Sequence, residues 1–367
     1  MPDADTKVDS LFPVLISLGA RLGYDSNSRT TGNTQGSAFS SQEITLSYDR
    51  LRGATQIGLL AGAGVVERFT QKTDVNAFLN LSVSHRVSQR LSLSANVDTA
   101  YRVEPDFSTD VGPNQRAGNY FRTADSLAAS YQWNRRFSTV TSASFRLIRY
   151  EDNFVAAFTD RNEYTLGEEF RFDFSRQTVL VANYRFLIVD YLSFPRDSLT
   201  HVALFGVEET FGPRLTAQAR AGASFRSFDQ GENRMDPHFE GSLTYAVARR
   251  SMLSWTTRYS VEEPAVREAQ SRTTFRTGLQ LTYGFTAKLS SALSLFYHHD
   301  NNTTTSAGVT SGPATTTDAI DVGLFTRYQI SRHVDLSASI QHSEVSSSSA
   351  SSDYSRNSFS LGMNFTF

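Results

Sequence analysis

The feature that most constrains this chain is an apolar–polar alternation with a period of two that recurs along nearly its whole length. In the final run Phe359, Leu361, Met363, Phe365 and Phe367 share one face, and Ser358, Ser360, Gly362, Asn364 and Thr366 share the other. Leu215, Ala217, Ala219, Ala221, Ala223 and Phe225 alternate in the same way with Thr216, Gln218, Arg220, Gly222, Ser224 and Arg226. Period two is the signature of a strand, because successive side chains leave a pleated backbone on opposite sides. The runs extend about 11 to 14 residues, roughly double a soluble strand. Strands that long, apolar on one face only, need a solvent that is itself apolar. Helical periodicity is almost absent, and no stretch approaches the ~20 apolar residues of a membrane helix.

Composition supports one sheet rather than several cores. A chain of 367 residues would ordinarily suggest two or three soluble domains, yet only 39% is hydrophobic while aromatics reach 12%, with Phe 27 and Tyr 15. The net charge of −2 offers no excess for nucleic acid, and Cys 0 excludes disulfides, thiolate metal sites and a cysteine nucleophile. The polar start Met1-Pro2-Asp3-Ala4-Asp5 is not a signal peptide, so an exported form is expected to have lost one.

Short, basic turns punctuate the chain at Arg50 to Ala54, Ser88 to Arg90, Asn134 to Arg136, Ser175-Arg176, Gly212 to Arg214, Arg249-Arg250, Ala287-Lys288 and Ser331 to His333. Longer polar connectors lie between them, as at Asp25 to Gly36, Glu104 to Gly118 and Asp300 to Thr316. Eight short turns alternating with nine longer loops predict an all-β, antiparallel, up-and-down transmembrane β-barrel of 18 strands, or 16 if one hairpin is miscounted. Both termini fall on the short-turn, periplasmic side. The barrel is assigned to residues 14–367 and a short periplasmic segment to residues 1–13. Aromatics give an independent check. Tyr48, Tyr131, Phe174, Phe211 and Phe367 sit beside short turns, and Tyr24, Tyr101, Phe121, Tyr150, Tyr164 and Phe225 sit at the opposite strand ends. Two girdles around an aliphatic band match the two membrane interfaces.

The closing run Ser358 to Phe367 resembles the C-terminal signal that the barrel assembly machinery reads in bacterial outer-membrane proteins. The segment Leu18-Gly19-Ala20-Arg21-Leu22-Gly23-Tyr24-Asp25-Ser26-Asn27 and hairpins such as Leu81 to Tyr101 resemble the putative beta-barrel porin 2 group. That resemblance implies residence in the outer membrane of a Gram-negative bacterium, among its lipid and lipopolysaccharide. It also implies a channel that secretes an extracellular polysaccharide with periplasmic export proteins as partners. A general diffusion porin and a structural or adhesion barrel are the alternatives. The group carries no shared catalytic motif, so no functional residue is transferred.

An 18-strand barrel has a backbone diameter of about 35 Å, too wide for side chains to fill. Alternation assigns its lining: Arg86, Asp98, Arg102, Arg146, Glu169, Arg171, Arg185, Glu208, Arg220, Glu240, Arg258, Arg276, Asp321 and Arg327, with Asp125 also placed inside. These groups suit either a wet conduit with fixed charges or a salt-bridge lattice that stiffens the wall. Inward aromatics are expected to be scarce, with Phe78, Phe296 and Phe325 the candidates. Neutralising Arg146, Arg220 and Arg276 is expected to shift selectivity without harming the fold. Enzymatic readings are weak. His298-His299-Asp300 could be a metal site only if neighbouring strand residues faced the same way, and alternation likewise divides Glu168-Glu169 and Glu208-Glu209 across the wall. No cofactor, metal or catalytic set is assigned. Glu168 falls on the lipid face and requires a bulge, a proton or a protein contact.

Overall fold

The computed structural model describes residues 14–28, 35–104, 118–264, 269–303, 315–348 and 353–367. The segment 1–13, read as a periplasmic extension, lies outside the described residues. The first half of the chain forms β1 (Val14–Asp25), β2 (Ser37–Arg52), β3 (Thr55–Arg68), β4 (Asp74–Arg86), β5 (Leu91–Glu104), β6 (Gly118–Gln132), β7 (Phe137–Tyr150), β8 (Arg161–Asp173) and β9 (Thr178–Tyr191). The second half forms β10 (Ser198–Gly212), β11 (Leu215–Phe228), β12 (Arg234–Ala248), β13 (Ser251–Glu262), β14 (Ser271–Gly284), β15 (Leu289–Thr303), β16 (Thr315–Gln329), β17 (Val334–Ser347) and β18 (Tyr354–Thr366). A short helix, α1 (Asn153–Thr159), interrupts the β7–β8 loop.

Each strand pairs antiparallel with its neighbours in sequence, and β18 returns to β1 from Ser17↔Thr366 to Asp25↔Ser358. The closing hydrogen bonds at the short-turn end run from Phe367 N to Ile16 O (2.9 Å) and from Ile16 N to Phe367 O (3.2 Å). Closure removes every open edge, which is the condition for strands to survive in lipid. The 18-strand count and the alternating connector lengths are those expected from the sequence.

The short turns share a device. Ser88 Oγ accepts from the backbone N–H of Arg90 and Leu91, both at 3.1 Å, and Asn134 Oδ1 accepts from Arg136 and Phe137 (2.9 and 3.1 Å). Ser175 and Thr286 do the same for Gln177–Thr178 and Lys288–Leu289. A short polar side chain thus satisfies the donors that a two-strand reversal leaves unpaired. The β2–β3 turn instead uses Gly53 at φ +59°, where a Cβ would be disfavoured.

Outward faces carry Leu22, Leu127, Leu166, Phe205, Ile340 and Leu361, all strongly exposed, as a lipid-facing wall must be. Aromatics flank this band as anticipated, with one correction. Tyr150 points inward, buried, and stacks on Tyr120 at 5.6 Å, so it belongs to the lumen and not to the girdle. Helix α1 falls in the connector between Glu151 and Arg161, which the sequence pattern marks only as a longer loop. Its N-cap, Asp152, accepts from Phe154 N (2.9 Å) and Val155 N (3.1 Å), a signal present in the sequence.

The wall is not evenly curved. Some Cα atoms of β10 and β12, with β11 between them, approach more closely than the about 9.6 Å of two ordinary strand spacings. Two glycines permit the curl: a Cβ on Gly222 would lie 1.9 Å from the Ala203 carbonyl oxygen, and one on Gly206 2.3 Å from that of Ala219.

Candidate functional site: the lumenal charge network

Register, not local sequence, brings the inward charges together. On β8, β10 and β11 they form a closed square. Arg171 donates to Glu169 (2.7 Å) and to both oxygens of Glu208 (3.0 and 2.5 Å), while Arg220 reaches Glu169 (3.1 Å) and Glu208 (3.0 Å). Next toward the loops, Arg185 on β9 grips Glu240 on β12 bidentately (2.8 and 3.1 Å), and His238 Nε2 lies 3.0 Å from the same carboxylate. That bond spans two intervening strands, which the tight curl of β10–β12 makes possible.

Near the long-loop end the network is denser and more deeply buried. Arg161 and Arg146 share Glu163 (2.7 and 3.1 Å), and Arg226 faces Glu263 at 2.8 Å while Tyr191 donates to it at 2.7 Å. Glu262 accepts from Arg258 (2.7 Å) and Arg272 (2.9 Å), with Arg276 at 3.3 Å. Asp300 takes Arg272 (3.1 Å) and the Thr274 hydroxyl (2.5 Å). Arg196, from the β9–β10 loop, stacks over Tyr191 and Phe194 and donates to the Phe158 carbonyl at 3.0 Å, locking α1 onto this cluster.

A cavity of about 640 Å³ opens beside this network. Its inward charged lining consists of Arg122, Arg146, Arg161, Arg185, Arg226, Arg258 and Arg272 against Glu163, Glu240, Glu262 and Glu263, seven cations to four anions. Counting the contacting Asp98, Asp300 and Arg276 leaves eight against six, still positive. Here low dielectric walls strengthen the field a solute would meet.

The opposite wall is built differently. Asp25, buried, is clasped by Arg356 (2.6 Å) and Arg68 (3.6 Å), and Arg68 also bonds Asp74 at 2.8 Å. Arg327 bonds Asp335, and Ser343 bonds Asp321. Between these pairs the face carries many Ser, Gly and Asn side chains, with Arg21, Glu43, Arg86 and Arg102 among them. Phe39, Phe78 and Phe296 each lie over a glycine of the adjacent strand (Gly23, Gly62 and Gly278), so that a Cβ there would sit 2.5–2.6 Å from a ring carbon. The ring replaces the missing side chain and covers the backbone.

The fourteen lining residues read from the alternation have inward register: Arg86, Asp98, Arg102, Arg146, Glu169, Arg171, Arg185, Glu208, Arg220, Glu240, Arg258, Arg276, Asp321 and Arg327. Three statements need correction. Asp125 pairs with Val97 and Phe145 and therefore faces lipid, where Thr123 donates to it at 2.9 Å. Arg220 and Arg276 are inward yet locked in ion pairs, Arg276 only 3% exposed, so neither is a free wet charge; Arg146, with its side chain 53% exposed, is the accessible one. Inward aromatics also include Tyr150, which the sequence places in the girdle, and Phe39, Tyr120 and Tyr191, which it assigns to neither face. Glu168 meets the requirement for a protein contact: Thr141 donates to it at 2.7 Å. His298 turns inward to Asp300 and His299 outward to Asp318, dividing the proposed metal triplet. Among the described residues no three His, Asp or Glu side chains are placed to hold a metal.

A family model described as putative beta-barrel porin 2 matches residues 12–367. The chain belongs to this family. Among solved structures it is similar to the Pseudomonas aeruginosa OccK2 (OpdF) complex with glucuronate, at 12% identity, TM-score 0.52, 96% of this chain and 98% of that one. It is also similar to OpdK of the same organism crystallised with vanillate, at 13% identity, TM-score 0.50, 96% and 99% coverage. At such identities the likeness concerns the fold. No protein of curated function matches the sequence. As a beta-barrel porin 2 protein, the chain is a porin-like barrel of the Gram-negative outer membrane, in a family of channels rather than enzymes.

Proposed function

We propose that this barrel is a passive channel for small hydrophilic solutes, with a preference for those bearing a carboxylate or similar anion. The observation that carries the reading is the 640 Å³ lumenal cavity with seven arginines to four glutamates. Guanidinium forks suit planar anions, and the partly exposed side chains of Arg146, Arg185 and Arg258 reach that space. That OccK2 and OpdK were crystallised with glucuronate and vanillate, both carboxylates, is compatible with this reading.

Polysaccharide export, implied by the family resemblance, draws on the opposite wall. Its dispersed Ser, Gly and Asn lining would hold a sliding polymer only weakly. Against it stands the network on β8–β14, which fills part of the bore. The two readings separate in planar bilayers and in cells. We predict a steady conductance with reversal potentials favouring anions, and loss of carboxylate uptake on gene deletion. Cation preference, or lost surface polymer with uptake intact, would refute the anion channel.

A further inference from the structure

The lipid-facing wall is apolar at mid-depth around most of the barrel, as at Leu243, Leu279, Leu295, Val322, Ile340 and Leu361. One flank breaks this rule. Strands β6 to β10 present Asp125, Thr141, Glu168, Tyr184 and His201 outward, within a height of about 15 Å for strands tilted near 40°. Among the described residues, Asp125 and Glu168 are the carboxylates on the outer face lying well inside both aromatic girdles. Carboxylates in hydrocarbon are costly and usually face protein.

The internal hydrogen bonds do not exhaust these groups. Thr141 serves one oxygen of Glu168, Thr123 serves Oδ1 of Asp125, and Tyr184 OH meets His201 Nδ1 at 2.7 Å. Asp125 Oδ2 and His201 Nε2 make no hydrogen bond among the described residues. Their placement is complementary: Asp125 lies two strands to one side of Glu168, and His201 two strands to the other. A twofold axis along the membrane normal at β8 would set the acidic flank of one copy against the hydroxyl–imidazole flank of the next, and reciprocally. Exposed Leu127, Leu166 and Phe205 around these groups would supply the apolar contact.

We propose that β6–β10 is a self-association face through which two copies of this chain pair about a twofold axis at β8. The occupant is a second copy because the strip is complementary to itself. In that dimer the mid-depth carboxylates face protein and not lipid.

These 367 residues contain no cysteine, so single cysteines report cleanly. Leu166→Cys lies at the axis and should cross-link to itself with a short bismaleimide in native outer membranes, giving a species of twice the chain mass. Leu243→Cys, on β12, should not. In native mass spectrometry from nanodiscs the unaltered protein should be dimeric. Asp125→Leu with Glu168→Leu should lower the dimer fraction at least tenfold while the barrel stays heat-modifiable; should that variant not fold, His201→Phe serves the same purpose. A monomer in nanodiscs without Leu166→Cys cross-linking, or cross-linking of that position to a different protein, would overturn the proposal.

Discussion

The network can be tested at Glu262. One carboxylate there holds Arg258 at 2.7 Å, Arg272 at 2.9 Å and Arg276 at 3.3 Å, with Asp300 as the remaining anion. Glu262→Gln changes three cations against two anions into three against one. Removing one partner of a buried pair costs about 3–5 kcal/mol, because the opposite charge stays behind unpaired. Glu262 is 22% exposed and Arg258 35%, so water screens part of this and we predict about 2–4 kcal/mol. Arg21→Gln is the comparison. Arg21 lies 3.9 Å from Glu43 and is 52% exposed, so its loss should cost under about 1 kcal/mol. Urea titration in lipid vesicles, followed by emission of Trp133 and Trp255, measures both. A second change, Arg276→Met beside Glu262→Gln, should recover stability, since it removes an uncompensated buried cation. Equal, small costs for Glu262→Gln and Arg21→Gln would refute the view that this network is a structural buttress.

Arg146→Gln, at an accessible lumenal guanidinium, should shift bilayer reversal potentials toward cations while leaving the urea midpoint nearly unchanged. Gly222→Ala should sharply lower the yield of folded barrel, because the wall must shift to take a Cβ that would fall 1.9 Å from a backbone oxygen, whereas Gly58→Ala meets only the Ser82 hydroxyl at 2.7 Å and should fold at the native yield; heat-modifiability on gels distinguishes them. At the loop rim, the Tyr101 hydroxyl and the Asn119 amide donate to Glu151 and hold its carboxyl below the ordinary range. A depressed carboxylate stabilises above its unfolded value and loses that contribution as pH falls through the folded one. Hydrogen exchange at the β6–β7 rim should therefore quicken below about pH 4, and Glu151→Gln should abolish the pH dependence.

Much of this architecture is legible in the sequence because a barrel strand obeys one rule, alternation, along its whole length. Phe359 to Phe367 display a lipid face and a lumenal face without any tertiary information. Parity likewise places Glu168 outward and Glu169 inward, and separates His298 from His299. Errors arose where parity had to be inherited across a loop. Asp125 follows a long connector and lacks a strongly alternating neighbourhood, since Thr123, Ala124 and Ala128 fit either face. Tyr150 stands at a strand end, where an interfacial and a lumenal aromatic look alike. Pairing between distant strands was not legible at all. Arg185 and Glu240 are 55 residues apart, and only the closed register brings them together.

That pairing also links the shape of the bore to two small residues. A regular 18-strand cylinder would keep β9 and β12 about 14 Å apart along the wall. The curl at β10–β12 tightens this corner, and Gly206 and Gly222 let the β10 and β11 backbones approach where a Cβ would collide with the neighbouring carbonyls. Arginine and glutamate side chains then meet across the concave corner, at the Arg171–Glu208–Arg220 square and the Arg185–Glu240 clamp. The ion pairs are therefore consequences of the curl as well as its braces: any larger residue at Gly222 would open the corner and separate Arg185 from Glu240. It would then free Arg185 and Glu240 alike, one cation and one anion, so the channel should widen while its charge balance stays nearly the same. A variant that folds with Gly222 replaced should show a larger conductance at a nearly unchanged reversal potential; an unchanged conductance would mean that the clamp is held by its own strands rather than by the corner.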